Sequence, residues 1–246
     1  MEQIDTLKNG YKIIQDTDRF MFGIDAVLLA DFVSGCIKKQ DKIIDLGTGN
    51  GIIPLLLSGV YPENAITGLE IQKESAELAA RSVELNGLQD KITIINGDLT
   101  RTEDFTGKYE LLKHGFEVVT CNPPYSVVES GKQSPGDAKA IARHEVLCTL
   151  EDVVAAADFL LKPHGKLFMI HRPYRLAEIF GALYAHQLEP KRMRLVSPFA
   201  GEEPNMVLIE ARKNAKPRLK IDPELVVYEK AGEYTQQIKD IYNSLR

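Results

Sequence analysis

Short apolar runs alternate with longer stretches in which apolar residues recur at helical spacing, over most of the chain. The short runs have the length and β-branched content of buried strands, and the longer stretches have the period of amphipathic helices. The predicted strands are residues 13–14, 42–46, 65–70, 92–95, 116–120, 166–170, 195–196 and 206–210. The predicted helices are residues 25–33, 52–60, 73–85 and 150–161.

The order of these elements predicts the fold class. Strands and helices alternate from residue 42 to residue 170, which is typical of a parallel sheet covered by helices on both faces. No Pro-rich or low-complexity linker interrupts the chain, so we expect one α/β domain over residues 1–246. Within it we distinguish a cap segment (1–41), a core (42–212) and a tail (213–246). Glycine and proline make residues 129–137 a predicted mobile loop.

Composition excludes several classes of protein. With 246 residues and 44% hydrophobic content, the chain can bury a full core. Its first thirty residues are interrupted by charges and match neither a signal peptide nor a membrane span. Three cysteines without ligand spacing argue against a disulfide framework and a zinc site. We therefore expect a cytoplasmic, metal-free monomer that does not enter a membrane.

Charge is distributed unevenly along the chain. The net charge of −5 disfavours a nucleic-acid partner if it is treated as uniform, because phosphate binding needs positive potential. Residues 162–220, however, carry twelve Lys and Arg against five Glu, a local net charge of +7. This stretch is either a solvated basic surface or a surface that binds phosphates.

A glycine-rich turn follows the predicted strand 42–46. Its sequence, Asp45-Leu-Gly47-Thr-Gly49-Asn-Gly51, lets a ligand approach the backbone closely. The spacing differs from the Gly-x-Gly-x-x-Gly pattern of dinucleotide sites. An acid at Asp45 favours a ligand with a cationic amino group and a sulfonium over a pyrophosphate, although Asp45 could instead cap the next helix.

Two further acids end the next two predicted strands. The Glu70 carboxylate can accept hydrogen bonds from both hydroxyls of a ribose, and Asp98 can accept one from an adenine amino group. Open α/β sheets bind ligands at the carboxyl ends of their strands, where these acids are expected. The alternatives are that Glu70 is a surface acid and that Asp98 belongs to an Asn-Gly-Asp turn.

The sequence Asn122-Pro123-Pro124-Tyr125 follows the predicted strand 116–120. Two prolines can simply end a strand, but a turn does not need the flanking Asn and Tyr. The Asn122 amide oxygen and the Pro123 carbonyl are two rigid acceptors for the N–H groups of a planar amine such as adenine N6. Tyr125 can stack on an extruded base, so we predict Asn122, Pro123 and Tyr125 as catalytic residues.

These motifs resemble those of class I S-adenosylmethionine-dependent methyltransferases. The resemblance implies a Rossmann-like fold with a mostly parallel seven-stranded sheet and an antiparallel C-terminal strand. It also implies S-adenosylmethionine as the cofactor. The predicted cofactor-binding residues are Phe22, Asp25, Asp45, Gly47, Gly49, Gly51, Glu70, Asp98 and Asn122. Asn-Pro-Pro-Tyr resembles the motif of amino-group methyltransferases, which act on adenine N6, guanine N2 or a glutamine amide.

Residues 20–30 resemble a narrower group, the tRNA methyltransferases that modify N6 of adenine 37 in valine tRNA. Residues 142–145, 171–173 and 191–196 resemble the same family. The resemblance implies that Phe22 and Asp25 close the cofactor site and that the anticodon loop of a tRNA is the partner. The residues that we predict to contact RNA are Arg143, His144, Arg172, Lys191, Arg192 and Arg194.

Each of these segments has a simpler interpretation. Residues 20–30 could be a core helix with Asp25 near its cap, and residues 143–145 the solvated start of a helix. Other candidate functions are a DNA or ribosomal-RNA amino methyltransferase, a release-factor glutamine methyltransferase and a non-catalytic RNA-binding scaffold. Glutamine methyltransferases of that type carry a helical domain ahead of the glycine-rich turn, and only 44 residues precede Asp45 here.

Overall fold

A computed structural model of the chain describes residues 1–17, 21–101, 113–123 and 148–245. The strands of this part are β1 (Glu2–Thr6), β2 (Lys12–Asp16), β3 (Ile43–Leu46), β4 (Ile66–Glu70), β5 (Ile92–Asn96), β6 (Phe116–Cys121), β7 (Leu161–His171), β8 (Leu188–Phe199), β9 (Met206–Lys213), β10 (Lys220–Ile221), β11 (Leu225–Lys230) and β12 (Glu233–Tyr234). The helices are α1 (Ile24–Val33), α2 (Ile52–Val60), α3 (Lys73–Leu85), α4 (Leu150–Leu160), α5 (Leu176–Ala185) and α6 (Gln236–Ser244). None of the helices in these ranges is long and apolar enough to cross a membrane.

Most of the strands form one sheet. Their order is β12-β11-β8-β9-β7-β6-β3-β4-β5, and β10 pairs with β8. Strand β9 is antiparallel to its neighbours β7 and β8. The pairs β7–β6, β6–β3, β3–β4 and β4–β5 are parallel. This arrangement confirms the predicted α/β class with an antiparallel strand near the C-terminal end of the core. The β1–β2 hairpin forms a separate antiparallel sheet.

The sheet has a hydrophobic core on each face because side chains alternate along its strands. In β7, Phe168 and Ile170 belong to the core that contains α1, α2 and α6, whereas Leu167 and Met169 belong to the core that contains α4 and α5. All four side chains are almost fully buried. Burying one such side chain stabilises the fold by about 1.5–3 kcal/mol, so both faces are needed.

The hairpin β1–β2 is attached to α3 by polar contacts. The Ser82 hydroxyl accepts a hydrogen bond from the Ile14 backbone N–H at 2.9 Å. The Asn86 side chain accepts from Lys12 N at 2.8 Å and donates to Lys12 O at 2.6 Å. Asn86, which the sequence suggests only as a helix stop, therefore also anchors the N-terminal segment.

Several elements are longer than predicted or were not predicted. Strand β8 covers Leu188–Phe199 rather than residues 195–196, and β7 begins at Leu161 rather than at residue 166. Helix α5 and strand β1 were not predicted. The tail, to which the sequence pattern assigned no helix or strand, forms β10, β11, β12 and α6 within the described residues. Strands β11 and β12 extend the sheet beyond β8. The apolar residues of α6 pack into the core beside α1.

Candidate active site

Strand pairing brings the predicted cofactor and target residues to one edge of the sheet. Leu46 of β3 is aligned with Leu69 of β4 and with Cys121 of β6. Since the strands are parallel, the residues that follow these three positions emerge side by side at the carboxyl edge. Glu70 is the last residue of β4 and Asn122 directly follows β6, so both lie at this edge with the glycine-rich turn.

The glycine-rich turn is held down on β4 and leaves space above it. The N–H groups of Gly47 and Thr48 donate to Leu69 O at 2.9 and 3.0 Å. Gly47 and Gly49 have φ angles of +67° and +57°, and a Cβ at either position would meet nothing within 4 Å. Glycine is therefore needed here for its backbone conformation, and the space that side chains would occupy is open to a ligand.

Gly51 and Gly68 have a packing function instead. A Cβ on Gly51, whose φ is +84°, would lie 3.1 Å from Ala79 Cβ of α3. A Cβ on Gly68 of β4 would lie 2.8 Å from Thr48 Cγ2, so Gly68 allows the turn to approach the strand. Gly68 was not predicted, because a single glycine inside a strand pattern does not reveal what lies above it.

Asp45 lies at this edge, and its pKa is shifted far from the ordinary value of a carboxyl group. It is 1% exposed, and its Oδ1 accepts a hydrogen bond from the Thr120 hydroxyl of β6 at 2.6 Å. Burial raises the pKa of Asp45 to about 7, against the lowering effect of Thr120 and Thr48. Thr48 lies close enough to affect that pKa but outside hydrogen-bond geometry, so Asp45 Oδ2 has no partner among the described residues. Helix α2 has Gly51 as its N-cap, which excludes Asp45 from that function.

Glu70 is buried at the end of β4 with both carboxylate oxygens oriented by backbone groups. Oε2 accepts from Gly49 N and Oε1 from Gln72 N, each at 2.8 Å. The side chain is 5% exposed, which excludes the alternative of a surface acid. Two fixed hydrogen bonds leave lone pairs on both oxygens for a ligand with two hydroxyl groups.

Asp98 begins a turn after β5. Its Oδ1 accepts from the Thr100 N–H at 2.8 Å and from the Thr100 hydroxyl at 2.7 Å, so the turn runs forward from Asp98 and is not an Asn-Gly-Asp turn. The preceding Asn96 donates to Glu70 O at 2.8 Å and to Ile71 O at 3.0 Å. Asn96 therefore ties the ends of β4 and β5 together and sets the position of Asp98 beside Glu70.

Phe22 and Asp25 lie at the start of α1. Asp25 is buried, and its Oδ1 accepts from Ala26 N at 2.9 Å, close to the helix N-terminus. A Cβ on Gly23 would lie 2.9 Å from that same oxygen, which explains the glycine between them. Phe22 packs against the core that contains α1 and α2.

A buried glutamine, not predicted from the sequence, connects this segment to the glycine-rich turn. Gln15 Oε1 accepts from Phe22 N at 3.1 Å and from Asn50 Nδ2 at 3.2 Å. Gln15 Nε2 donates to Asp5 Oδ2 at 2.5 Å. Gln15 is 4% exposed, but it follows the predicted strand 13–14 and no sequence pattern indicated it. These hydrogen bonds therefore connect the cap segment to the glycine-rich turn.

Asn122 and Pro123 directly follow β6, whose last residue Cys121 is aligned with Met169 of β7. Pro123 is buried and Asn122 is partly exposed, as a residue facing a cleft should be. Tyr125, Arg143 and His144 lie outside the described residues. The structure therefore places the two predicted acceptors at the edge but does not describe the predicted stacking residue.

The four predicted RNA-contacting residues that the structure describes occupy two different places. Arg172 follows the last residue of β7 at the carboxyl edge, where its Nη1 donates to Asn205 O at 2.8 Å. Lys191, Arg192 and Arg194 lie inside β8. Arg192 is aligned with Glu210, three positions before the level of His171, and this corresponds to about 10 Å below the edge.

Arg192 is engaged by protein groups. Nη2 donates to Phe32 O at 2.5 Å, and the guanidinium lies 3.9 Å from the centroid of the Phe32 ring. Nε is outside hydrogen-bond geometry but 3.2 Å from Glu210 Oε2, and Nη1 is 3.8 Å from Asp222 Oδ2. These contacts connect β8 to α1, so the geometry supports a packing function for Arg192 and gives no support to RNA contact.

Lys191 and Arg194 also have internal partners. Lys191 Nζ donates to Lys216 O at 2.9 Å, and Arg194 Nε donates to Pro223 O at 2.9 Å. Burial lowers the pKa of Arg194, with Asp222 and Asp31 acting in the opposite direction. Part of the basic stretch therefore holds the C-terminal segment against β8.

The arrangement at the carboxyl edge suits a cationic ligand that carries a ribose. It combines the buried Asp45 Oδ2, which has no partner in the described part of the chain, with the oriented carboxylate of Glu70 and the open space above Gly47 and Gly49. A positive ligand would supply the compensation that a buried carboxylate requires. The Asn122–Pro123 acceptors lie beside this site.

Comparison with known families agrees with this geometry. Residues 25–185 match the model of the methyltransferase small domain family. The matched region begins at Asp25 and includes the glycine-rich turn, Glu70, Asp98 and the Asn-Pro-Pro-Tyr sequence.

Curated relatives extend over most of the chain. A tRNA1(Val) (adenine(37)-N6)-methyltransferase of Porphyromonas gingivalis is 29% identical over 225 residues, which cover 87% of this chain and 84% of the relative. A protein of the same name from Dyadobacter fermentans is 28% identical, with 90% of this chain and 88% of the relative covered. The similarity therefore covers more of the chain than the segment that the family model matches.

Solved structures show the same fold. A predicted O-methyltransferase from Agrobacterium tumefaciens aligns with a TM-score of 0.71 and 26% identity, covering 90% of this chain and 96% of its own. A geranyl diphosphate C-methyltransferase from Streptomyces coelicolor A3(2), solved with S-adenosyl-L-homocysteine, aligns with a TM-score of 0.55 and 14% identity over 76% of this chain and 79% of its own. The second resemblance concerns the fold alone.

Proposed function

The chain belongs to the methyltransferase small domain family, and from this premise we propose that it methylates the exocyclic N6 of an adenine in tRNA. We further propose adenine 37 in the anticodon loop of a valine tRNA as the target, S-adenosylmethionine as the cofactor and the cytoplasm as the site of action. Two curated relatives named tRNA1(Val) (adenine(37)-N6)-methyltransferase align with this chain over 84% and 88% of their own length. The observation that carries the proposal is the strand register that places Asn122 and Pro123 beside Asp45 and Glu70.

The residues of the carboxyl edge fit the cofactor. Asp45 Oδ2, buried and without a partner among the described residues, would face the positive charge, the two Glu70 oxygens would accept from the ribose hydroxyls, and Asp98 would accept from the adenine amino group. Gly47 and Gly49 leave room for the ligand against the backbone. S-adenosylmethionine supplies a methyl carbon made electrophilic by its sulfonium.

The chemical problem lies in the substrate. The lone pair of an adenine amino group is delocalised into the ring, so the nitrogen is a weak nucleophile. Acceptance of its two N–H groups by Asn122 Oδ1 and Pro123 O would hold the nitrogen and favour its tetrahedral form. Both acceptors precede a proline, which restricts their backbone before the substrate arrives. The protein thus contributes orientation and fixed acceptors.

The proposal is tested with total tRNA from a strain that lacks the gene. Incubation with the purified protein and S-adenosylmethionine should produce N6-methyladenosine, detected by nucleoside mass spectrometry and mapped to one tRNA. Ribosomal RNA, DNA and a release factor serve as competing substrates. Methylation of a release-factor glutamine, or of DNA or ribosomal RNA in place of tRNA, would replace the proposed substrate. Cofactor binding without any transfer would favour a non-catalytic RNA-binding scaffold.

A further inference from the structure

The chain that leaves β7 passes next to the Asn122–Pro123 acceptors. Cys121 is aligned with Met169, so continuation of the parallel register puts Pro123 level with His171, the last residue of β7. Neighbouring strands are about 4.8 Å apart. The residues that follow His171 therefore form the wall of the carboxyl edge on the side away from Asp45 and Glu70, where a substrate nucleotide would approach.

This wall is a short, well-fixed turn. Arg172 is followed by a 3₁₀ turn at Pro173–Arg175, which leads into α5. His171 is 1% exposed, and its Nδ1 accepts from the Arg172 N–H at 2.7 Å. Burial lowers the pKa of His171 to about 4, so this acceptor persists at neutral pH. Arg175 N donates to Arg172 O at 3.2 Å, and the Arg175 guanidinium forms an ion pair with Glu178.

Tyr174 projects from this turn with 71% of its surface exposed. A large aromatic ring that is exposed on a fixed turn next to a binding edge is available to stack on a ligand. Arg172 lies two residues before it and adds positive charge at the carboxyl edge, where an RNA backbone would run, whereas Arg175 is mostly buried and paired with Glu178. Proteins that read single-stranded RNA stack splayed bases on exposed aromatic side chains.

We propose that Tyr174 stacks on a base adjacent to the target adenine and thereby contributes to the choice of anticodon loop. This inference rests on the proposed function. The Asn122–Pro123 pair holds the reactive amine, whereas Tyr174 holds the neighbouring nucleotide, so the two groups act on different steps. Loss of Tyr174 should weaken RNA binding and leave the chemical step unchanged.

Tyr184 provides a matched control. It is also exposed, at 57%, and lies in α5. Ten positions of largely helical chain separate the two residues, which corresponds to about 15 Å between their Cα atoms at 1.5 Å per residue. A general effect of removing a surface tyrosine would therefore appear equally in Tyr184→Leu.

The experiment measures kcat and KM for tRNA together with the Kd for S-adenosylmethionine. Stacking contributes about 1–3 kcal/mol per base, so Tyr174→Leu should raise KM about 5- to 150-fold at unchanged kcat and cofactor Kd. Tyr174→Phe should remain within about twofold of the wild type because the phenyl ring can still stack. Tyr184→Leu should have no effect.

Stem-loop RNAs with an abasic site on either side of the target adenine then identify the stacked base. With one of them, wild type and Tyr174→Leu should have the same raised KM. An unchanged KM for Tyr174→Leu on intact RNA, or a Tyr174→Leu effect that persists with both abasic RNAs, would overturn the inference while leaving the proposed function intact. Failure of the wild type to methylate any RNA would instead overturn both.

Discussion

Asp45 and Arg192 are both charged residues held inside the protein, and both were candidate ligand-binding residues, yet their surroundings differ. Asp45 lies at the carboxyl edge with one oxygen bound by Thr120 and the other without a partner among the described residues. Arg192 lies in the middle of β8, between the Phe32 ring and the carboxylates of Glu210 and Asp222. The carboxylate has capacity left for a ligand, whereas the guanidinium is used by the fold.

The difference follows from the position of each residue along its strand. A charge at the carboxyl end of a parallel strand faces the crevice where the connections diverge, so a ligand can reach it. A charge in mid-strand faces the helices that cover the sheet and must find its partners there. Spacing relative to a strand end is therefore a better guide to function than local charge density.

The largest expected effect is on the acceptor at the edge itself. Replacement of Asn122 by Ala removes a fixed acceptor for the developing charge, and we expect kcat to fall by about 10²- to 10³-fold. The Kd for S-adenosylmethionine, measured by calorimetry, should change much less. Wild-type kcat in Asn122→Ala would contradict the proposed mechanism.

Arg192→Ala should act on folding rather than on catalysis. Removal of Arg192 leaves the buried Glu210 carboxylate without its ion-pair partner and leaves Asp222 paired with Lys220, and we expect a loss of about 2–4 kcal/mol in the free energy of unfolding. Urea denaturation measures this loss. The KM for tRNA of the folded variant should stay within about twofold of wild type. A raised KM at unchanged stability would show that Arg192 contacts RNA after all.

Asp45→Asn tests whether the edge sacrifices stability for ligand binding. The pKa of Asp45 is raised from 3.8 to about 7 in the folded protein, so the folded state binds an extra proton between these values. Wild-type stability is therefore reduced as pH rises through that interval, and Asp45→Asn should be more stable at pH 8 by about 1–3 kcal/mol. At pH 4 the two proteins should have nearly equal stability, and a larger difference at pH 4 than at pH 8 would contradict the assignment.

The same substitution should change the pH dependence of cofactor binding. A cationic ligand favours ionised Asp45, so wild-type affinity for S-adenosylmethionine should rise with pH up to about 7 and then level off. Asp45→Asn should bind more weakly, with a flat profile over pH 6–8. A wild-type profile that is also flat would show that Asp45 does not face the positive charge.

The smallest expected effects compare two parts of the basic stretch, one at the carboxyl edge and one within β8. Arg172→Ala at the edge should raise the KM for tRNA about fivefold, because one phosphate contact contributes on the order of 1 kcal/mol, and should reduce the salt dependence of binding. Lys191→Ala, in the body of β8, should change KM by less than about twofold. The opposite order of effects would move the RNA surface from the edge to β8.

The sequence predicted the central sheet well because its strands are short apolar runs whose periodicity needs no knowledge of neighbours. Strand β8 was reduced to two residues because Lys191, Arg192 and Arg194 break its apolar pattern. The partners that make those charges acceptable, such as Phe32 and Glu210, are remote in sequence.

The site was predictable where a motif sits at a strand end and unpredictable where a contact is made through space. Asp45, Glu70 and Asn122 were predicted from their positions at, or directly after, the ends of strands. Gln15 was not, because its hydrogen bonds to Phe22 N and Asn50 join three segments that only the fold brings together. Gly68 was missed for the same reason, since the side chains that leave no room for a Cβ there, Thr48 and Ile94, are remote in sequence.

The central claim is that a cofactor held by Asp45 and Glu70 presents its methyl group to Asn122. A crystal structure of the protein with S-adenosylmethionine tests it directly. We expect the ribose hydroxyls on the Glu70 carboxylate, the positive end of the ligand toward Asp45 and the methyl carbon next to the Asn122 amide. A cofactor bound at this edge with its methyl carbon directed away from Asn122, or bound elsewhere, would contradict the claim.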